Sequence, residues 1–248
     1  MDVNAIVEAI DRELRSCGNA ERAVRERVYL KSELDHLGVT VPETRAIVRS
    51  ALRGTDVDHD DVIALAEALW APPATDHARS SVRPVHERRT AATMVLIQSA
   101  DHLGAGDADL VERLLREART WALVDPLAAD LVGPLSEREA GFDRILDVWA
   151  QDDDFWLRRS ALLAHLVPLR QGRGDFDRFC RFADAMLEER EFFVRKAIGW
   201  VLRDTGRKRP DTVFAWLLPR AGRASAVTLR EAVKHLSPEQ REAILAAR

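Results

Sequence analysis

The sequence has little of what marks a secreted, membrane-spanning or metal-cluster protein. Its 248 residues hold two cysteines, Cys17 and Cys180, too few and too far apart for a disulfide framework or a metal knuckle. No apolar run approaches the roughly 18 to 20 residues that a membrane-spanning helix requires. The N-terminal stretch MDVNAIVEAIDRELR reads as an amphipathic helix without a signal-peptide pattern. A cytoplasmic location is therefore expected, with no membrane partner. Convincing β alternation is missing. So are the phosphate-binding GxxxxGK loop, HExxH, paired CxxC and GxSxG. The histidines, His36, His59, His77, His86, His102, His165 and His235, sit at no ligand spacing and beside no nucleophile, so neither a metal site nor a cofactor is expected. Lysine is scarce too. Of 37 basic residues only Lys31, Lys196, Lys208 and Lys234 are lysines, and the planar fork of arginine suits phosphate, although genome base composition would produce the same bias.

What is present is an ordinary globular composition, 46% hydrophobic and 31% charged, long enough for a sizeable core. A single domain over residues 1–248 is expected. The net charge of −4 conceals an uneven distribution: residues 155–235 carry 17 Lys and Arg against 9 Asp and Glu, a local net of +8, which leaves −12 for the rest. Apolar residues recur at three- and four-residue steps in almost every segment, predicting about ten to twelve helices of roughly 10 to 17 residues. Thr40 with Glu43, Ser136 with Glu139 and Ser237 with Gln240 have capping-box spacing. Gly104 to Gly106, Gly172 to Gly174 and Gly206 to Pro210 punctuate between helices. The Pro- and Ser-rich APPATDHARSSVRPVHERR, Ala71 to Arg89, is the best candidate for a long loop. The predicted class is all-α, a solenoid of HEAT-like helix pairs with a concave groove, the pairs repeating in about 40 residues by hydrophobic spacing rather than identity.

Two stretches carry groups of mixed chemistry. In WALVD, Trp121 and Asp125 stand four residues apart on one helix face. Pro126 follows, disfavouring helical geometry at Asp125 and predicting that the helix closes there. Asp125 then either caps the next helix near Leu127 or is a carboxylate kept at an unfavourable helix end for function. In FFVRKAIGWVLRD, Phe193, Lys196, Trp200, Arg203 and Arg207 form one stripe. Trp200 can be ordinary packing under snorkelling stems, or a stacking surface beside phosphate-binding cations. In DDDFWLRRSALL the aspartates provide a helix start, and Trp156 and Arg159 share a face. Arg159 is a surface ion pair or a ligand contact.

At these residues the chain resembles the AlkD-type DNA alkylation repair family, the HEAT-like-repeat DNA glycosylases. YLKSELDHLGVTVPETR looks like the family's N-terminal signature, WALVD its Trp-x-x-x-Asp motif, DDFWLRRSAL its Trp-x-x-Arg helix, EFFVRKAIGWVLRD its most specific block and LREAVKHL its C-terminal helix. Where the family often has a second Trp before the motif Trp and an acidic residue after it, this chain has Thr120 and Ala122. The resemblance implies Asp125 as catalytic carboxylate, Trp121 and Trp200 as aromatics flanking the sugar, Arg159 as a phosphate contact and Tyr29 as a rim aromatic. Trp156, Arg195, Lys196 and Arg203 would complete the DNA-binding set. The partner implied is double-stranded DNA containing alkylated purines, met by a monomer associated with the nucleoid.

The chemistry fits those residue types. Alkylation at N3 or N7 makes a purine cationic and hence a good leaving group. What remains to stabilise is an oxocarbenium-like sugar. A carboxylate and two aromatic faces can do that without protonating the base. The expected activity is monofunctional hydrolysis of the N-glycosidic bond without a tight base-flipping pocket, bulky adducts included. The alternative is a non-catalytic HEAT-like scaffold that binds DNA or protein.

Overall fold

A computed structural model describes residues 1–73 and 83–248. The described residues form helices joined by loops, with no strand and one isolated bridge between Asp35 and Val85. The all-α class expected from periodicity is found. The chain forms two compact units, Met1–Gly104 and Ala105–Arg248.

The first unit contains α1 (Val3–Ser16), α2 (Ala20–Leu30), α3 (Val41–Ala51), α4 (His59–Trp70) and α5 (His86–Gln98). The Thr40 and Glu43 capping box opens α3 as predicted. The unit's central element is α5, which packs on α1, α3 and α4 and is buried from His86 to Leu96. A helix buried on all sides loses the one-sided apolar stripe, so its charged residues need internal partners. Arg88 pairs with Asp11 and donates to the Ala68 carbonyl, 2.6 Å. Arg89 lies 4.6 Å over the Trp70 ring. Of the predicted loop at 71–89, residues 74–82 lie outside the described residues, and the chain is already helical at His86.

The second unit contains α6 (Ala108–Ala118), α7 (Trp121–Pro126), a π-helical turn at Leu127–Val132, α8 (Gly133–Arg138), α9 (Phe142–Trp149), α10 (Phe155–Leu163), α11 (Leu166–Arg170), α12 (Phe176–Ala185), α13 (Phe192–Gly206), α14 (Pro210–Leu217), α15 (Ala226–Ala232) and α16 (Pro238–Ala246). The helices are more numerous and several are shorter than predicted. Its core is built from side chains such as Leu115, Leu123, Phe142, Trp149, Phe179, Ile198 and Val201. Helix α13 packs on α10, α11 and α15. Gly199 permits the last contact: a Cβ there would stand 2.8 Å from the Thr228 carbonyl oxygen and 2.8 Å from the Glu231 Cβ.

Two predicted boundaries are corrected. Asp125 does not end its helix, because the chain continues through Pro126 into the π turn and on to α8. Pro126 has no N–H to donate to the preceding turn, and the widened ladder absorbs that loss. Ser136 consequently starts nothing. It lies inside α8, and its hydroxyl donates to the Gly133 carbonyl, 2.8 Å.

Ion pairs in this unit recur at a nearly constant separation. Arg116 with Asp152, Asp125 with Arg159, Glu137 with Arg173, Asp143 with Arg178, Asp184 with Arg220 and Glu188 with Arg223 join residues 34 to 36 apart. Equal separations mean that equivalent positions of successive helix pairs face each other.

Candidate active site

The site is organised around Asp125. Thr120 accepts a hydrogen bond from the Ala122 amide at 3.4 Å and caps α7, which presents Trp121 in its first turn and Asp125 one turn later. The Asp125 carboxylate receives two parallel bonds from Arg159 of α10, Nε to Oδ1 at 2.7 Å and Nη2 to Oδ2 at 2.7 Å. This fork geometry is the strongest form of an arginine and carboxylate pair. Arg159 Nη1 donates to the Phe193 carbonyl at the start of α13, and its guanidinium lies 5.7 Å from the Phe193 ring centre. One arginine therefore ties together α7, α10 and α13. The Arg159 side chain is 2% exposed and that of Asp125 12%. The carboxylate is the member of the pair that reaches the surface, with acceptor capacity left after two bonds.

Arg159 is not the surface ion pair that its sequence position allowed: its fork faces Asp125 and a backbone carbonyl rather than solvent. Trp156, expected among the DNA contacts, is 7% exposed and packs 4.5 Å from the Phe155 ring and 5.0 Å from that of Phe193. Its place is behind Arg159, as a wall of the aromatic cluster.

The α13 stripe remains accessible in part. Trp121 and Trp200 are half-buried and Lys196 is exposed. Lys196 Nζ lies 5.8 Å from the ring of Phe192, which is 47% exposed. Arg203 lies 5.8 Å over Trp200, but its Nη1 pairs with Glu231 at 2.5 Å, so its charge is largely spent within the unit. Arg195 is half-buried, and its carbonyl accepts from the Thr228 hydroxyl at 3.0 Å. Tyr29 stands 73% exposed on α2 of the first unit.

Two contributions were not foreseen from the sequence, although Phe193 belongs to the predicted α13 stripe. Phe193 supplies the carbonyl that anchors Arg159, a role that side-chain chemistry cannot signal. Asp204, 3% exposed, accepts from Arg170 at 2.7 Å and from Arg203 at 3.2 Å, with Arg207 3.9 Å away. A carboxylate near a helix C-terminus opposes the dipole, and the arginines crowding it in sequence were the available signal. It fastens α11 to α13.

The fold and the site define the class: an all-α protein of packed helix pairs with a forked Asp and Arg pair at a partly open surface. The chain belongs to the DNA alkylation repair enzyme family, whose profile matches residues 10–236. Among solved structures it is similar to a predicted DNA alkylation repair enzyme from Enterococcus faecalis, at 21% identity and a TM-score of 0.72, with 89% of this chain and 97% of that one covered. That likeness concerns the fold. No curated protein matches the sequence. Among the described residues no helix is long and apolar enough to cross a membrane.

Proposed function

We propose that the protein is a monofunctional DNA glycosylase that removes cationic N3- or N7-alkylpurines, bulky adducts among them, by hydrolysis of the N-glycosidic bond. The observation that supports this reading best is the Asp125 carboxylate, fixed by a bidentate arginine yet still reaching the surface beside Trp121. An oxocarbenium-like sugar is stabilised by a carboxylate held in place before charge develops. Arg159 supplies that fixation, so in this reading it is a positioning residue and not the phosphate contact first expected. The Asp125 carboxylate would lie against the anomeric carbon and orient the attacking water through its remaining acceptor capacity. Trp121 and Trp200 would hold the deoxyribose through their ring faces. Phosphate contact passes first to the exposed Lys196, with the half-buried Arg195 and Arg203 in lesser parts; Tyr29, in the first unit, would stack on DNA separately.

The test is release of 7-methylguanine or 3-methyladenine from methylated duplex DNA by the purified full-length chain. Loss of release in Asp125→Asn at unchanged DNA affinity is the expected result. Release of no alkylpurine, simple or bulky, ends the enzyme reading. The same Asp125 and Arg159 pair also suits a non-catalytic DNA-binding scaffold, in which it serves only to join three helices. That reading predicts DNA binding without release. Lys196→Ala should weaken binding evenly across sequences and reduce the salt slope by about one unit.

A further inference from the structure

The histidines that stand apart in sequence do not stay apart in the fold. His36, in the loop between α2 and α3, stacks on His86 at the start of α5, ring centres 4.6 Å apart and planes within 12°. The loop is held there firmly: the Asp35 amide donates to the Pro84 carbonyl at 3.0 Å and the His86 amide to the Asp35 carbonyl at 2.8 Å. The neighbouring Glu87, 1% exposed, accepts three backbone amides, from Leu37 at 2.9 Å, Gly38 at 2.6 Å and Val39 at 3.3 Å. Glu26 of α2 closes the group. One donor atom from each of Glu26, His36 and Glu87 lies within 4.8 Å of the other two.

What calls for explanation is the imidazole. Both His36 nitrogens are shielded from solvent and neither has a hydrogen-bond partner, and Nδ1 of His86, a residue only 7% exposed, is in the same condition. Buried polar groups without partners are costly, and here the imidazoles stand beside two carboxylates, Glu87 held by its three amides and Glu26 paired with Arg22 of its own helix. A single cation would take the imidazole lone pair and bind both carboxylates, Glu26 exchanging Arg22 for the ion.

We propose that Glu26, His36 and Glu87 form a site for one divalent transition-metal ion of the zinc class. The donors select it: with no thiolate the set does not favour soft ions, and an imidazole among carboxylates disfavours magnesium and calcium. Donor atoms around a tetrahedral ion with bonds of ~2.1 Å stand ~3.4 Å apart, so closure needs only a small inward movement, which Glu26 on the rim can make. Glu87 is already oriented by its three amides, the outer-shell support that metal-binding carboxylates require. Three protein ligands leave a position for water. The ion would fasten α2 and the 32–40 loop to the start of α5.

The experiment uses the full-length chain stripped with EDTA and titrated with Co²⁺ as a spectroscopic probe and with Zn²⁺ by calorimetry. One ion per chain, visible Co²⁺ bands of low-coordinate geometry, and a Tm that rises with Zn²⁺ and falls back with EDTA are expected. Glu26→Gln and His36→Asn should each weaken affinity at least about tenfold. Glu26 and His36 are both half-buried, but Glu26 sits on a helix and pairs with Arg22 of that same helix, so Glu26→Gln should keep the metal-free Tm and circular dichroism of the parent, and it decides the matter if His36→Asn fails to fold. Absence of stoichiometric uptake by the parent, or uptake with equal affinity in Glu26→Gln, overturns the proposal.

Discussion

Removing Arg159 should harm this protein more than removing both members of its pair. In Arg159→Ala the Asp125 carboxylate loses two bonds of 2.7 Å, the Phe193 carbonyl loses its donor, and a charge with little access to water remains. Breaking a buried pair from one side costs about 3–5 kcal/mol, most of it for the charge left behind. At an m-value near ~3 kcal/mol/M for a chain of this size, about 4 kcal/mol moves a urea midpoint by about 1.3 M. Adding Asp125→Asn to Arg159→Ala removes the stranded charge. The double variant should therefore be more stable than Arg159→Ala, by roughly 1 kcal/mol or more of favourable coupling. Tryptophan fluorescence is the suitable probe, because Trp121, Trp149, Trp156, Trp200 and Trp216 all lie in the second unit and only Trp70 in the first. The glycosylase reading adds a second requirement, that the rescued double variant release no alkylpurine. Additive losses, with the double variant less stable than either single one, would refute the assignment of the pair as a buried, mutually compensating unit.

Other perturbations test the packing around the site. Gly199→Ala gains helix propensity of up to about 1 kcal/mol, but its Cβ meets backbone at 2.8 Å and overpacking costs about 1–3 kcal/mol, so Tm should fall; a rise would mean that α13 and α15 can separate freely. Burial lowers the pKa of His165 to about 4, so the unfolded chain binds the proton more readily. Stability from this residue is complete above pH 6.5 and declines as the pH falls toward 4, by about 3 kcal/mol in all; buried His86 acts in the same direction, so urea midpoints across that range should fall less steeply in His165→Leu than in the parent, and an equal slope would refute the assignment. Burial and the nearby Asp184 push the Cys180 thiol up to about 12 while Cys17 is exposed, so a thiol reagent at pH 8 should titrate one cysteine in the native protein and two in urea.

The parts of the fold set by local rules were legible in the sequence. The boxes at Thr40 and Ser237 and the amphipathic periodicity needed only near neighbours, and both boxes are present. What failed were inferences in which a local rule met a tertiary answer. Pro126 predicted a break, and the chain answered with a π turn. Trp156 and Arg159 shared a predicted face, yet that face is turned inward because Phe193 and Asp125 arrive from other helices. Motif resemblance singled out Asp125 and Arg159, but not their partnership, since no helical period links positions 34 apart.

That separation places the site in its architecture. The Asp125 and Arg159 bridge has the same span as bridges whose role is only to join neighbouring helices. Most of those are wet: side-chain exposures reach 54% and 67% at Arg223 and Glu188, and 27% and 35% at Arg220 and Asp184. Exposed pairs of this kind contribute about 0–1 kcal/mol. The bridge at Asp125 shares its fork with those at Asp152 and Asp184, but differs in two respects that sequence spacing does not reveal. Its arginine is 2% exposed, and that arginine also holds the first turn of α13. Burial makes its geometry stiff and its charges consequential, and the π turn directly after Pro126 allows the carboxylate to sit in mid-helix while reaching the surface. A connection repeated throughout the unit has thus become, at one step, a fixed and partly exposed carboxylate. A stabilising function alone would favour an apolar replacement at such a buried position; under the proposed glycosylase reading, the ionic fork instead serves to hold a carboxylate in place for the reaction.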